Sequence, residues 1–77
     1  MTEHQVCLYK VNRELRQYRF YSLSVQPNLF GTWSLIRAWD RIGGAGREKI
    51  DWHATELDAK RVMFRKAREK RGRGYRP

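Results

Sequence analysis

Three glycines in four residues, Gly43-Gly44-Ala45-Gly46, reverse the chain sharply, because glycine enters positive φ without a steric penalty. The flanking segments, Thr32 to Ile42 and Arg47 to His53, read as strands, so the turn predicts a hairpin in the middle of the chain. The same glycines could bring backbone amides close to a phosphate. They precede a strand rather than a helix, however, and lack the lysine and hydroxyl of a nucleotide-binding loop, so a hairpin is the expectation.

In the first of these strands Arg37, Trp39 and Arg41 stand two residues apart and leave one face of an extended chain together. A cation, a flat aromatic and a second cation in a row suit a sugar-phosphate backbone. Guanidinium groups bond phosphate oxygens in pairs, and an indole stacks on a sugar or a base. The pattern is equally compatible with a Trp39 that fills a core beside solvated arginines. Ile36, Ala38 and Ile42 make the other side of the strand apolar. Trp33 and Leu35 break the alternation, which either a bulge or a sheet covered on both faces would accommodate. On the returning strand Glu48, Ile50 and Trp52 share one face and Arg47, Lys49 and Asp51 the other, and Ile50 and Trp52 are expected to point inward.

Upstream, Gln5 to Val11 suits a first strand, in which Cys7 is expected to be a buried small hydrophobe. Tyr18 to Gln26 is a longer one, with Tyr21, Leu23 and Val25 on a core face and Tyr18, Phe20, Ser22 and Ser24 opposite. The short link from Asn12 to Gln17 favours a hairpin over a crossover, and Pro27-Asn28 ends the second strand. Downstream, Thr55 can cap a helix whose first turn holds Glu56 and Asp58. The spacing of Ala59, Val62, Met63 and Ala67 predicts a helix over 55–70 that lays an apolar stripe on the sheet, with Phe64 at its edge. Gly72 is expected to end it, after Lys66, Lys70 and Arg71 have complemented its negative pole. The fold class is therefore α+β: an antiparallel sheet of about four strands with one C-terminal amphipathic helix packed on one face.

With 77 residues the chain is expected to make one domain over 1–77, burying about 60% of the surface it exposes when unfolded. Its 40% hydrophobic and 32% charged residues are those of an ordinary globular chain rather than a disordered one. The single Cys7 cannot form an internal disulfide, and His4 and His53 are too far apart for a zinc pattern, so no metal and no cofactor are expected. No spacing sets a nucleophile beside a base, which argues against an enzyme. Glu3 and His4 stand where a basic secretory leader would begin, and no stretch approaches the apolar length of a membrane span. A cytoplasmic protein without a membrane partner is the expectation. The net charge of +9 favours a polyanionic partner. Residues 55–77 carry nine Lys/Arg against three Asp/Glu, making the C-terminal third the most basic part.

Phe20-Tyr21, Leu29-Phe30-Gly31, Trp33-Ser34-Leu35, Arg37, Trp39, Arg41-Ile42-Gly43, Gly46 and the closing Arg73-Gly74-Tyr75 follow one another in a familiar order and spacing. Together they resemble the WGR domain, a module of poly(ADP-ribose) polymerases and of short stand-alone bacterial proteins, over roughly residues 5–75. In the polymerases the motif tryptophan lies against the sugar of an end nucleotide at DNA breaks, and the motif arginine meets the backbone or a neighbouring domain. The resemblance implies those roles for Trp39 and Arg41, a non-catalytic function, and a Tyr75 that folds back onto the sheet. By charge and position Arg37, Arg47 and Lys49 would add phosphate contacts. The implied partner is DNA, contacted at its backbone or duplex ends with little base specificity. The alternative is an acidic protein bound through the same basic face, since the polymerases also use this domain to relay a signal between domains. One departure stands out: the central motif position is Asp40 where the family has glycine, which adds bulk and a negative charge beside the implied anion site.

Overall fold

The computed structural model describes residues 4–77. Four strands, β1 (Gln5–Asn12), β2 (Gln17–Pro27), β3 (Trp33–Arg41) and β4 (Arg47–His53), precede one helix, α1 (Glu56–Gly72). The sheet is a meander in the order β1-β2-β3-β4 with every neighbouring pair antiparallel. This is the predicted α+β arrangement, and it follows from short links, which leave antiparallel neighbours as the accessible pairing.

Side chains sort by the two-residue period of each strand. Leu8, Tyr21, Leu23, Val25 and Leu35 are buried against Ala59, Met63 and Ala67 of α1, with Val6, Trp33, Trp39 and Val62 packed around them. Tyr21, Leu23 and Val25 thus form the core face read from the sequence, and Ala59, Met63 and Ala67 are the centre of the predicted helix stripe. Phe64 stands at the edge of that stripe, exposed.

The partner strands depart from expectation. The β2–β3 register runs without a break from Trp33 to Arg41 and the β3–β4 register from Trp33 to Trp39, so no bulge shifts the alternation. Trp33 and Leu35 face the helix, and their odd-numbered neighbours Arg37, Trp39 and Arg41 share that face, while Ile36 and Ala38 lie on the open side. Because Leu35 pairs with Asp51 and Ile36 with Ile50, β4 is obliged to turn Asp51 toward the helix and Ile50 and Trp52 away from it. Those two are 49% and 62% exposed, not inward. Cys7 also lies on the open side, exposed, with its thiol donating to the Tyr9 hydroxyl (3.2 Å) rather than buried among apolar groups.

Local signals explain the ends of α1. The Thr55 hydroxyl accepts the Asp58 amide (3.1 Å), and Glu56 and Asp58 occupy the positive first turn as expected. The helix continues through Gly72. Gly74, at φ +97°, makes the left-handed step instead, and the Tyr75 amide bonds back to the Lys70 carbonyl (3.1 Å). The tail then turns onto β1, where Tyr9 and Arg76 exchange two backbone hydrogen bonds (2.6 and 2.7 Å). Tyr75 is left 8% exposed, packed edge-on to Tyr21.

Candidate nucleic-acid interface

The basic residues of the strands are not shared between the two faces. Lys10, Arg19, Arg37, Arg41, Arg47 and Lys49 all have the parity of the core positions and rise on the helix side. Helix α1 packs chiefly over β2, so beyond its C-terminal half the sheet is uncovered. There the strand cations surround a hollow.

Trp39 forms the floor of that hollow. It is half-buried and pairs across the strand with Tyr21, their ring centroids 6.3 Å apart and tilted by 32°. One shallow cleft beside it is lined by Arg19, Phe20, Asp40, Arg41, Arg47, Lys70 and Tyr75. A second, lined by Arg37, Lys66, Glu69 and Arg73, adjoins it across Tyr21, Trp39 and Lys70. The result is an aromatic floor with ammonium and guanidinium groups on its rim. Aromatic faces set among cations are the elements that hold a nucleic-acid strand, through stacking and phosphate neutralisation.

The sequence-derived residues occupy this region unequally. Trp39 and Arg47 face each other across β3 and β4, and Arg41 pairs with Arg19 of β2. Arg41 and Arg47 are exposed and line the same cleft. Lys49 is exposed on the outer strand beside Arg37, one pair farther from the cleft. Arg37 is the most constrained. Its Nη2 lies 3.1 Å from the Asp51 carboxylate, and its Nε is buried without a hydrogen-bond partner. Much of its charge is thus used internally.

Arg19, Lys70, Arg73 and Tyr75 were not singled out for the site from sequence, yet the signals were present. Arg19 has the parity of Tyr21, and Lys70 lies one helical repeat from the buried Met63 and Ala67. The Lys70 ammonium sits over the Tyr21 ring (4.6 Å to the centroid) and near the Tyr75 ring (5.4 Å). Burial lowers its pKa from the usual lysine value, and the neighbouring Arg73, Lys66 and Lys10 charges push the same way. A cation held among cations and against two ring faces is poised to gain from an anion.

Asp40 has a local task. Its carboxylate accepts the Arg41 amide (2.7 Å) and, across the turn, the Gly46 amide (2.8 Å). Gly43 and Gly46 adopt φ +86°, and a Cβ on Gly44 would fall 2.6 Å from the Asp40 carboxylate oxygen. The glycines therefore wrap around this side chain. The two amide bonds, Gly46 first, lower the Asp40 pKa, with help from the Arg41 and Arg47 charges.

The family model of the WGR domain matches residues 4–77. The chain belongs to the WGR family. It is also similar to an uncharacterized protein, y4dW, of Sinorhizobium fredii, with 46% identity over 59 residues that make up 77% of this chain. The matched part is 29% of that relative's length. No solved structure matches the chain. WGR is a non-catalytic domain, associated in poly(ADP-ribose) polymerases with nucleic-acid binding. In this WGR domain no helix is long and apolar enough to cross a membrane, and no group of three His, Cys, Asp or Glu gathers among the described residues.

Proposed function

We propose that this WGR domain is a DNA-binding module that grips the sugar-phosphate backbone, including that of exposed duplex ends, with little preference for base sequence. The observation that carries the reading is the half-buried Trp39 at the floor of a cleft rimmed by Arg19, Arg41, Arg47 and Lys70. Trp39 supplies a flat apolar surface for a deoxyribose or a terminal base. Arg41 and Arg47 neutralise phosphates on either side of it, and Lys49 extends the track along β4. Arg37 contributes mainly by orienting β4 through Asp51.

The test is duplex binding across a salt series. Wild type should bind blunt duplexes of unrelated sequence alike, and Arg41→Ala should weaken all of them similarly while reducing the slope of log affinity against log salt by about 0.9, the value for one lost phosphate contact. Trp39→Leu should weaken binding while leaving the salt slope unchanged, because it removes a stacking surface and no charge. If Arg41→Ala leaves affinity and slope untouched in a folded protein, the cleft is not a DNA site. An acidic protein partner on the same basic face then becomes the reading, and its complex should resist competition by duplex.

A further inference from the structure

The sheet face turned away from α1 is as distinctive as the basic one. Its sixteen strand positions hold no lysine or arginine, and their charges are Asp40 and Glu48, both at the β3–β4 turn end. In a chain of net charge +9 this is the surface where a second basic molecule meets no opposing cations. Large side chains stand along its flanks, Tyr9 and Phe20 on one side, Ile50 and Trp52 on the other, all wholly or partly exposed. The middle strands bring mostly small ones between them, Ser22, Ser24, Ser34 and Ala38, with Ile36 among them.

The apolar end is built rather than loose. The Asn28 side-chain oxygen accepts the Phe30 amide (3.0 Å) and the Thr32 hydroxyl (3.0 Å), and its amide nitrogen donates to Ser34 (3.2 Å). This turn holds Phe30 out from the backbone, 72% exposed, with its ring 5.2 Å from that of Trp52. Two large aromatics pinned together in solvent are costly for an isolated domain and ordinary at an interface.

We infer that the open sheet face is a homodimer interface, in which two copies of this chain pack face to face as a sheet sandwich. Four strands at about 4.8 Å spacing and a mean of about nine residues each give a face of about 19 by 30 Å. A pair of copies would bury about 1,100 Å² in total, just above the roughly 1,000 Å² that a specific interface should clear. A two-fold axis in the plane between the sheets and across the strands seats the Trp52–Phe30 end of one copy opposite the Asp40–Glu48 end of the other. That arrangement seats β4 over β4, with the Ile50 and Trp52 side chains of the two copies against each other, and keeps the two Glu48 carboxylates apart. The basic faces then point outward on opposite sides of the dimer. The inference shares Phe20 and Asp40 with the lining of the cleft but uses none of the cations proposed to hold DNA, so it stands whether or not the cleft binds DNA.

Sedimentation equilibrium of the DNA-free protein tests it. The mass should rise from one chain toward two between about 1 µM and about 1 mM, and the dimer should strengthen with added salt, which screens the repulsion between two chains of like net charge. Trp52→Arg and Ile36→Glu, each placing a charge in the interface, should each raise the dimer dissociation constant tenfold or more, while Trp39→Leu on the opposite face should leave it unchanged. Circular dichroism confirms that each variant is folded. A wild type that stays monomeric to 1 mM overturns the inference, as does a dimer insensitive to both open-face variants or weakened by salt. A monomer would leave that face to another protein or to the remainder of a longer chain, and the DNA titrations of the cleft would be unaffected.

Discussion

Replacing Tyr75 by alanine removes the side chain that fastens the C-terminal tail to the sheet. The ring is 8% exposed, meets Tyr21 edge-on at 6.3 Å, and lies beneath the Lys70 and Lys10 ammonium groups (5.4 and 5.9 Å). Truncating a buried aromatic to alanine costs about 3–5 kcal/mol when the cavity cannot collapse. Tyr75 borders the open cleft beside Trp39, where solvent can reach the vacated space, so the low limit of about 3 kcal/mol applies. A domain of this size has total stability of about 4–12 kcal/mol, so the variant stays mostly folded at room temperature. Each kcal/mol moves the melting midpoint by about 4–8 °C at this length, so the drop should be about 12–24 °C. Urea unfolding followed by tryptophan fluorescence measures the change, since Trp39 lies within the affected cluster. Tyr75→Phe keeps the ring and should stay within about 1 kcal/mol of wild type. A Tyr75→Ala loss below about 1 kcal/mol would mean that the tail is frayed, with the Tyr9–Arg76 bridge contributing nothing measurable.

Two further outcomes test the helix docking and the turn. Met63→Ala, at a fully buried position, should cost about 2–5 kcal/mol in the same urea assay, whereas Phe64→Ala, one residue on and exposed, should stay within about 0.5 kcal/mol. Asp40→Gly should lower the melting midpoint at neutral pH by unfastening the turn that carries Arg41 and Arg47. Because the Gly46 and Arg41 amides hold the Asp40 carboxyl below its ordinary value of 3.8, its contribution is fully present above that value and is lost as pH falls through the lower folded-state pKa. Melting curves of Asp40→Gly and wild type should therefore converge as the solution is acidified. A gap that persists unchanged into strong acid would show that the carboxylate charge is not what fastens the turn.

The legible parts of the fold were those where one element decided its own orientation. In β2, Tyr21, Leu23 and Val25 alternate with serines, and in α1 an apolar stripe repeats at helical spacing, so each declares its inner face without reference to a neighbour. Strand β4 could not, because its two most apolar residues, Ile50 and Trp52, lie on the outer face. What orients β4 is non-local. Leu35 enters the core, the antiparallel register pairs Leu35 with Asp51, and the Arg37 guanidinium meets the Asp51 carboxylate that this pairing turns inward. Cys7 escaped for the same reason: Val6 and Leu8 face the helix side, so Cys7 must face away. Of the candidate site, the shared face of Arg37, Trp39 and Arg41 was readable from spacing alone. Lys70 shares the helical repeat of Met63 and Ala67, but it and Tyr75 reach the site through the packing of α1 over the sheet and the fold-back of the tail, which are not local.

The same alternation accounts for the Trp39-Asp40-Arg41 motif. Residues 39 and 41 rise on the helix side and residue 40 on the other, so exchanging the family's glycine for aspartate leaves the parity of the tryptophan and arginine unchanged. The carboxylate is drawn to the cleft rim by two backbone amides and satisfied there, and Gly43, Gly44 and Gly46 supply the room and the positive φ that let the turn close around it. With glycine at position 40 the turn would lose both of these side-chain bonds and hold Arg41 and Arg47 less firmly. The aspartate thus has two opposed effects on an anion in the cleft: its charge repels, and its hydrogen bonds fix the cations that attract. Its two amide bonds offset part of that charge and the flanking guanidiniums screen it, so the repulsion is the smaller effect. Asp40→Gly should therefore weaken DNA binding along with the turn, and a variant that bound duplex more tightly than wild type would show repulsion to be the larger.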